Sequence, residues 1–389
     1  MAEPGEPARG TRFARVRAAY VGLAIFVLNG VLFFAALNLA VVPFHHDDAA
    51  RENLLWPFLR ERLPAVYPEL SPADVEQLAR EMLGEMIYEP YTDLAHPPTR
   101  GRFVNVDAAG FRWGRARPPW PLEHDAYNVF VFGGSTTFGY GVPDSDTVPS
   151  FLQERLGTVA GKPVRTYNFG RSAYYSTQER ILFERLVTAG HVPDAAVFVD
   201  GLNDFSSPDD LPWSEGILKG RIGAPRLDWP RALKSVIDLL PLTVTVLHLA
   251  RLAGSADEAS PVVGVRSNDP AEVDRIIARW TRSKALIEGA ARASGVSTTF
   301  VWQPIPTYGG VATGSDARVL ASNLAGFAYP RFAAQVAAHS LGTNFVWCAE
   351  PGEGTLASLY VDAVHYGPVM ADRVARCASD AMRARQLVP

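Results

Sequence analysis

The chain has 389 residues, 48% of them hydrophobic and 20% charged, and a net charge of −4. That is room for one large domain with additions. The charge is small and no basic stripe runs along the chain, which argues against nucleic-acid binding.

The N-terminus carries Arg9, Arg12, Arg15 and Arg17, followed by a stretch from Ala18 to Phe44 without a charged residue. Such a run can cross roughly 30 Å of hydrocarbon at about 1.5 Å per helical residue. The positive-inside rule then puts residues 1–17 in the cytoplasm and the chain after 44 outside it, as a single-pass membrane protein. A cleaved signal peptide is the competing reading, with a small-residue pattern at Ala35-Ala36. Its apolar region is usually only about 7–15 residues, so a retained anchor is the expectation. Asn29 and Asn38 within the span read as tolerated polar residues or as contacts to another helix. His45-His46-Asp47-Asp48 are rich in metal-ligand types, but directly after a membrane span they read as an interfacial flank.

Residues 45–99 read as an extracytoplasmic helical stem. Ser71-Pro72-Ala-Asp74 has the form of a helix start, with Ser as cap, Pro at the first helical position and an acid at the third. Val75, Leu78, Met82 and Met86 then mark an apolar face, expected to pack on the main domain. The proline-rich stretches at His96-Pro-Pro and Arg117-Pro-Pro-Trp-Pro read as extended connectors.

From Tyr127 strand and helix patterns alternate. Strands are expected at 128–132, 164–168, 195–199, 298–303 and 344–348. Helices are expected from Thr147 to Leu156, from Ser176 to Gly190, from Asp269 to Gly295 and from Pro368 onward. Ser176-Thr-Gln-Glu179 reads as a capping box. An insertion at 205–268 contains an apolar run from Leu233 to Leu252, and with Lys234, Asp238 and His248 inside it this run is a poor membrane span. The insertion reads equally as a cap over a pocket and as helices closing a flank of the sheet. Short strands alternating with helices predict a parallel sheet covered on both faces, with its site at the carboxyl ends of the strands.

Three of those ends, and the segment before the last helix, carry the groups that acyl transfer needs. Ser135 follows the first strand, Asn168-Phe-Gly170-Arg ends the second, and Gly201-Leu-Asn203-Asp204 follows the third. Asp362-Ala-Val-His365 precedes the last helix. A serine on a strand-to-helix turn can be a nucleophile, a histidine can take its proton, and a carboxylate three residues earlier can orient the ring. Amide donors would hold an oxyanion. Each piece has an ordinary alternative: a serine helix cap, a surface Asp–His pair, a plain turn. Asp204 reads as a cap or structural partner. His124, His191, His248 and His339 show no ligand spacing, and no phosphate-binding glycine motif occurs, so neither metal nor cofactor is expected.

Over roughly residues 100–389 these ordered blocks resemble the SGNH (GDSL-type) hydrolase superfamily. The resemblance is closest to its membrane-anchored bacterial members with Gly-Gly-Ser-Thr-Thr-Phe-Gly as first block. Asn105-Val-Asp-Ala-Ala-Gly110-Phe111-Arg112 and Gln303-Pro304 extend it. The resemblance implies a three-layer α/β/α, flavodoxin-like domain behind one N-terminal transmembrane helix. It implies Ser135 as nucleophile, His365 as base and Asp362 as its orienting acid. The oxyanion hole would be the N–H groups of Ser135 and Gly170 with the Asn203 amide. Gly134 departs from the acid of the familiar Gly-Asp-Ser block, which points away from the ordinary secreted lipase-esterases. The implied activity is an acyl or acetyl esterase on acylated envelope or exported carbohydrate. An O-acyltransferase, and a non-catalytic carbohydrate-binding or assembly component of an envelope polysaccharide machinery, are the alternatives. The two cysteines, Cys348 and Cys377, would be free to bridge in an oxidising compartment, or would be two small buried thiols.

Overall fold

A computed structural model describes residues 9–41, 56–84, 86–207, 209–212, 240, 242, 243, 245, 268–310, 324–350 and 352–389. Most of the 205–268 insertion and the His45–Asp48 cluster lie outside the described residues. The chain divides into two compact units, one of residues 1–47 and 222–260, the other of 48–221 and 261–389.

The first unit is dominated by helix α1, Arg9–Val41. Its stretch Phe13–Val41 is long and apolar enough to cross a membrane, and its side chains are almost all exposed. The helix starts before the uncharged run, so the basic residues ride on its first turns. Asn38 is the buried polar residue in it. Its amide donates to Phe34 O at 2.9 Å and accepts the Leu242 N–H at 3.0 Å.

The second unit begins with helices α2 (Trp56–Val66) and α3 (Pro72–Met82). Ser71 caps α3 by accepting the Asp74 N–H, as its sequence requires. The helix stops at Met82, so Met86 is not on its stripe. Two short antiparallel pairs follow, β1 (Ile87–Glu89) with β2 (Asp93–Ala95), and β3 (Thr99–Arg100) with β4 (Asn105–Val106).

The central sheet is built from β5 (Tyr127–Gly133), β6 (Thr158–Val159), β7 (Lys162–Asn168), β8 (Ala195–Asp200), β9 (Ser297–Trp302) and β10 (Phe345–Trp347), in the order β10-β9-β8-β5-β7-β6. All pairings are parallel except that of the short edge strand β6 with β7. The helices between are α4 (Ser135–Phe138), α5 (Val148–Leu156), α6 (Ser176–Thr188), α7 (Pro270–Ser294), α8 (Ala325–Ala338), α9 (Leu356–Leu359) and α10 (Pro368–Ala384). The order reverses beside β5, which gives a flavodoxin-like, doubly wound sheet whose switch point lies where β5 ends.

Strand periodicity sorts the two faces. Phe130, Phe132, Phe198, Phe300 and Trp302 point to one, where they pack with Phe183 of α6, Trp280 of α7 and Phe332 of α8. Phe132, Phe198 and Phe300 stack in a row, at 4.9 and 5.1 Å between ring centres. Val129, Val131, Val197, Val199 and Val301 point to the other face, against Leu152 of α5 and Val374 of α10. Sheet and helices thus make three layers. A third apolar cluster joins Leu59, Leu63, Val75, Leu78 and Met82 to Phe138, Tyr140, Val142 and Val361. The stem stripe therefore packs on the segment just after Ser135.

Two local expectations fail. The helix expected to open with a capping box has Tyr175 as its cap residue and no side-chain cap bond. The Ser176 hydroxyl donates instead to Asp204 Oδ1 at 2.6 Å, and Glu179 is buried. A tertiary carboxylate has outbid the local amide. Helix α8 has no counterpart in the predicted elements, because Pro330 inside it breaks the helical reading.

Candidate active site

Ser135 stands at the carboxyl end of β5 and opens the one-turn helix α4. The first bonded N–H of that turn is Thr137, to Gly134 O at 3.1 Å. The N–H of Ser135 is thus one of the unpaired donors that begin any helix. Gly134 is needed for packing: a Cβ there would overlap the Asn203 amide nitrogen.

Behind the turn lies a frame of buried polar groups. Thr136 Oγ1 donates to Gln303 Oε1 at 2.7 Å, and Tyr366 OH donates to the same oxygen at 3.0 Å. Arg112 is fully buried. It bonds Asp144 at 2.7 Å and the carbonyls of Phe138, Gly139 and Val142 at 2.8–2.9 Å. The Gln-Pro strand end and the Gly-Phe-Arg segment, noted in the sequence only through the resemblance, are what hold the serine turn in place.

Asp362 and His365 come from a tight loop closed by the antiparallel bridge Tyr360–Tyr366. Asp362 Oδ1 accepts the N–H groups of Val364 and His365, both at 2.7 Å, and Oδ2 lies 2.6 Å from His365 Nδ1. Burial pushes the Asp362 carboxyl up, but the charge of His365 and hydrogen bonds from its ring, its N–H and that of Val364 outweigh it. They hold the group below its ordinary 3.8. An ionised Asp362 only accepts, so the neutral ring carries its proton on Nδ1 and offers a lone pair at Nε2. That lone pair is 2.8 Å from Ser135 Oγ. Ser135, His365 and Asp362, separated by up to 230 residues, are therefore brought into one hydrogen-bonded line.

Asn203 opens the 3₁₀ turn after β8, beside Gly134. Its Nδ2 donates one hydrogen to Tyr174 O at 2.7 Å, which leaves the second for a ligand. Gly170 does not match its expected part. Its N–H is already taken by Asn168 Oδ1 at 2.9 Å, and Asn168 Nδ2 in turn donates to Thr137 O at 2.9 Å. A Cβ on Gly170 would overlap the Phe138 nitrogen, so close packing on the serine turn, and not an open approach to substrate, is what requires glycine here.

The turn after it holds a residue that sequence reasoning missed. Ala173 has left-handed backbone, φ 58°. The bonds of this turn run from Arg171 N–H to Gly133 O (2.9 Å) and from Tyr174 N–H to Arg171 O (3.3 Å), and neither uses the Ala173 N–H. Its neighbours belong to the site. Ser172 bonds the Tyr140 hydroxyl, and Tyr174 O holds Asn203. Alanine gives no sequence signal of a positive φ, so nothing in the chain marks it.

Beneath Asn203 three carboxyls are buried together. Asp204 accepts from Ser176, and Asp200 Oδ2 accepts the Trp280 indole N–H at 2.9 Å. Burial and the Asp204 charge push Asp200 up to about 8, against hydrogen bonds from Trp280 and Glu179. Glu179 is raised well above its ordinary value by burial and by Asp200 and Asp204. Among the described residues, no group of three or more His, Cys, Asp or Glu side chains is placed to hold a metal ion. The two cysteines are joined, with 6.0 Å between their Cα atoms.

No family model matches the chain, and no curated protein does. Solved structures resemble it at low identity. One is that of TesA, at 16% identity over 66% of this chain and 99% of that one, TM-score 0.35. A lipolytic protein of the G-D-S-L family from Desulfitobacterium hafniense gives 13%, 66% and 99%, TM-score 0.34. Axe2, an acetylxylan esterase from Geobacillus stearothermophilus, gives 14%, 67% and 93%, TM-score 0.36. At this degree of likeness nothing about activity transfers from those proteins.

Proposed function

We propose that the chain is a serine-dependent esterase of SGNH type. One observation carries the reading: the His365 Nε2 to Ser135 Oγ contact at 2.8 Å, continued through Nδ1 to Asp362 at 2.6 Å. Ser135 Oγ attacks the ester carbonyl as His365 Nε2 takes its proton. The tetrahedral oxyanion is held by the N–H of Ser135, the free amide hydrogen of Asn203 and, in place of Gly170, the N–H of Ala173. Collapse breaks the ester C–O bond, and His365 returns the proton to the departing alcohol. Water, deprotonated by His365, then cleaves acyl-Ser135 to a carboxylic acid and restores the hydroxyl. A sugar hydroxyl in place of water would make the same acyl-enzyme an O-acyltransferase.

The substrate we assign is an acylated envelope or exported carbohydrate, met outside the cytoplasm by a domain anchored through α1. Basic residues ahead of the apolar stretch support that orientation. So does the Cys348–Cys377 disulfide, since such bonds persist in oxidising compartments.

The test is covalent labelling of the detergent-solubilised full chain with a fluorophosphonate probe, beside folded Ser135→Ala and His365→Ala variants. Labelling of the parent alone, with release of acetate from acetylated oligosaccharides, is expected. A folded parent that stays unlabelled sinks the esterase reading.

A further inference from the structure

The Tyr140 side chain lies among the groups already described, yet nothing in the acyl-transfer steps uses it. It follows the serine turn, and its own N–H bonds the Ser135 carbonyl at 3.1 Å. Its ring stacks on the His365 imidazole, with 5.2 Å between centres and 25° between planes. Its hydroxyl lies 3.1 Å from His96 Nε2 and is bonded by the Ser172 side chain. His96 is itself clamped flat on Phe138, 3.7 Å between ring centres and 8° between planes. One residue thus touches the segments of the candidate nucleophile, the base and the turn that carries Ala173.

We infer that Tyr140 is a positioning residue, whose ring fixes the plane of the His365 imidazole and whose hydroxyl ties that ring to the Ser172–Tyr174 turn. The physical need is plain. Asp362 anchors the imidazole at Nδ1, but rotation of a flat ring about its bond to Cβ is soft and broad. A flat neighbour on one face removes that freedom, and misplacement by about 1 Å can cost roughly 10²-fold in rate. A ring that only filled space among Leu59, Leu78 and Val361 would be served by phenylalanine. Here the hydroxyl has two polar partners from separate segments. Burial, with the charges of Arg171 and Arg112, pushes His96 down to about 3, so at neutral pH it is an uncharged acceptor for the phenol. Burial raises Tyr140, against the Ser172 bond and Arg112, so the phenol keeps its proton to donate.

The inference rests on His365 serving Ser135 as base, and its test separates the two ideas. Tyr140→Leu, Tyr140→Phe and His96→Ala are made in the full chain in detergent. Each is read by fluorophosphonate labelling, with the inactivation rate separated from probe affinity, by the low-field NMR signal of the His365 Nδ1 proton, and by thermal midpoint. Tyr140→Leu is expected to slow inactivation by about 10–10²-fold at unchanged probe affinity and to broaden the low-field signal through faster exchange. Tyr140→Phe, keeping the ring, and His96→Ala, keeping ring and hydroxyl, should lose much less. If Tyr140→Leu does not fold, the other two decide, since losses in both inactivation rate and signal sharpness are still expected from freeing the hydroxyl. Variants that lower only the thermal midpoint, with rate and signal intact in the folded protein, would make Tyr140 a packing residue and overturn the inference. A parent that fails to label but keeps a low-field signal sensitive to Tyr140→Leu would sink the esterase and leave the positioning.

Discussion

Gly170 and Phe138 leave no room between them: a side chain on the first would occupy the place of the second's amide nitrogen. With its N–H bound to Asn168, Gly170 supports the serine turn from behind, whereas Asn203 faces the open side with an amide hydrogen to spare. The two should fail differently. Gly170→Ala is expected to destabilise the fold by about 1–3 kcal/mol, as overpacking does, with reactivity per folded molecule close to the parent's. Asn203→Ala should leave the thermal midpoint nearly unchanged and lower the rate of ester cleavage about 10²–10³-fold. Thermal unfolding beside esterase rates on both variants checks this, and a rate loss without destabilisation in Gly170→Ala would restore its N–H as a donor.

Asp362 holds its loop with one oxygen and the His365 ring with the other. Asp362→Asn keeps the shape but can present an N–H to Nδ1, which moves the ring proton to Nε2 and turns that lone pair away from Ser135. We expect a fall of about 10²–10⁴-fold in labelling rate. The linkage sign is that of a depressed carboxyl: its stabilising contribution is present above the ordinary value of 3.8 and is lost as pH falls through the lower folded value. Asp362→Asn should therefore weaken the protein most at neutral pH, and a variant equally reactive at every pH would remove the carboxylate from the mechanism.

Much of this is legible in the chain, for physical reasons. Alternating Phe and Val along β5 encodes two buried faces, and caps at Ser71, Thr147 and Asp269 announce their helices because each bonds an N–H within its own next few residues. Ser135, Asn203 and the Asp362–His365 pair could be named because strand ends and helix starts are local features. What stayed hidden depends on distant partners. Ser176 and Glu179 look like a capping box until Asp204 and Asp200 are folded beside them. Ala173 has no chemistry that advertises its backbone, and the place of Tyr140 over His365 exists only once 225 residues of chain have returned.

The disulfide closes a span of 29 residues that contains both Asp362 and His365. Loop-closure entropy for such a span corresponds to roughly 3–4 kcal/mol of stabilisation. Cys377→Ser should lower unfolding free energy by about that amount. Because the released span carries the base, it should also slow fluorophosphonate labelling, and strong reductant should do the same to the parent. Denaturant titrations with and without reductant read the first effect. A parent whose unfolding midpoint ignores reductant would mean that no bridge is present in the isolated protein.

The cluster of Glu179, Asp200 and Asp204 predicts an unusual direction of pH dependence. Burial favours the neutral form of all three; the Asp204 charge raises Asp200 further, to about 8, and both aspartates raise Glu179. For a raised carboxyl the stabilising contribution is complete below the unfolded value, near 3.8, and is lost as pH climbs toward the folded one. Between about pH 4 and 8 the Asp200 proton costs up to about 1.4 kcal/mol per pH unit. Asp362 runs the other way only below 3.8, and His96, held down to about 3, runs the other way only below its ordinary 6.5, so neither masks the effect between pH 6.5 and 8. The thermal midpoint should fall from pH 6.5 to pH 8. Asp200→Asn should flatten that slope and raise the midpoint at pH 8 above the parent's, since an amide keeps an acceptor for the Trp280 N–H without a charge to bury. Thermal unfolding of both proteins at pH 6.5 and pH 8 decides it: an equal slope in parent and variant would show that the proton is not held by Asp200, and a flat parent that the cluster is ionised and solvated.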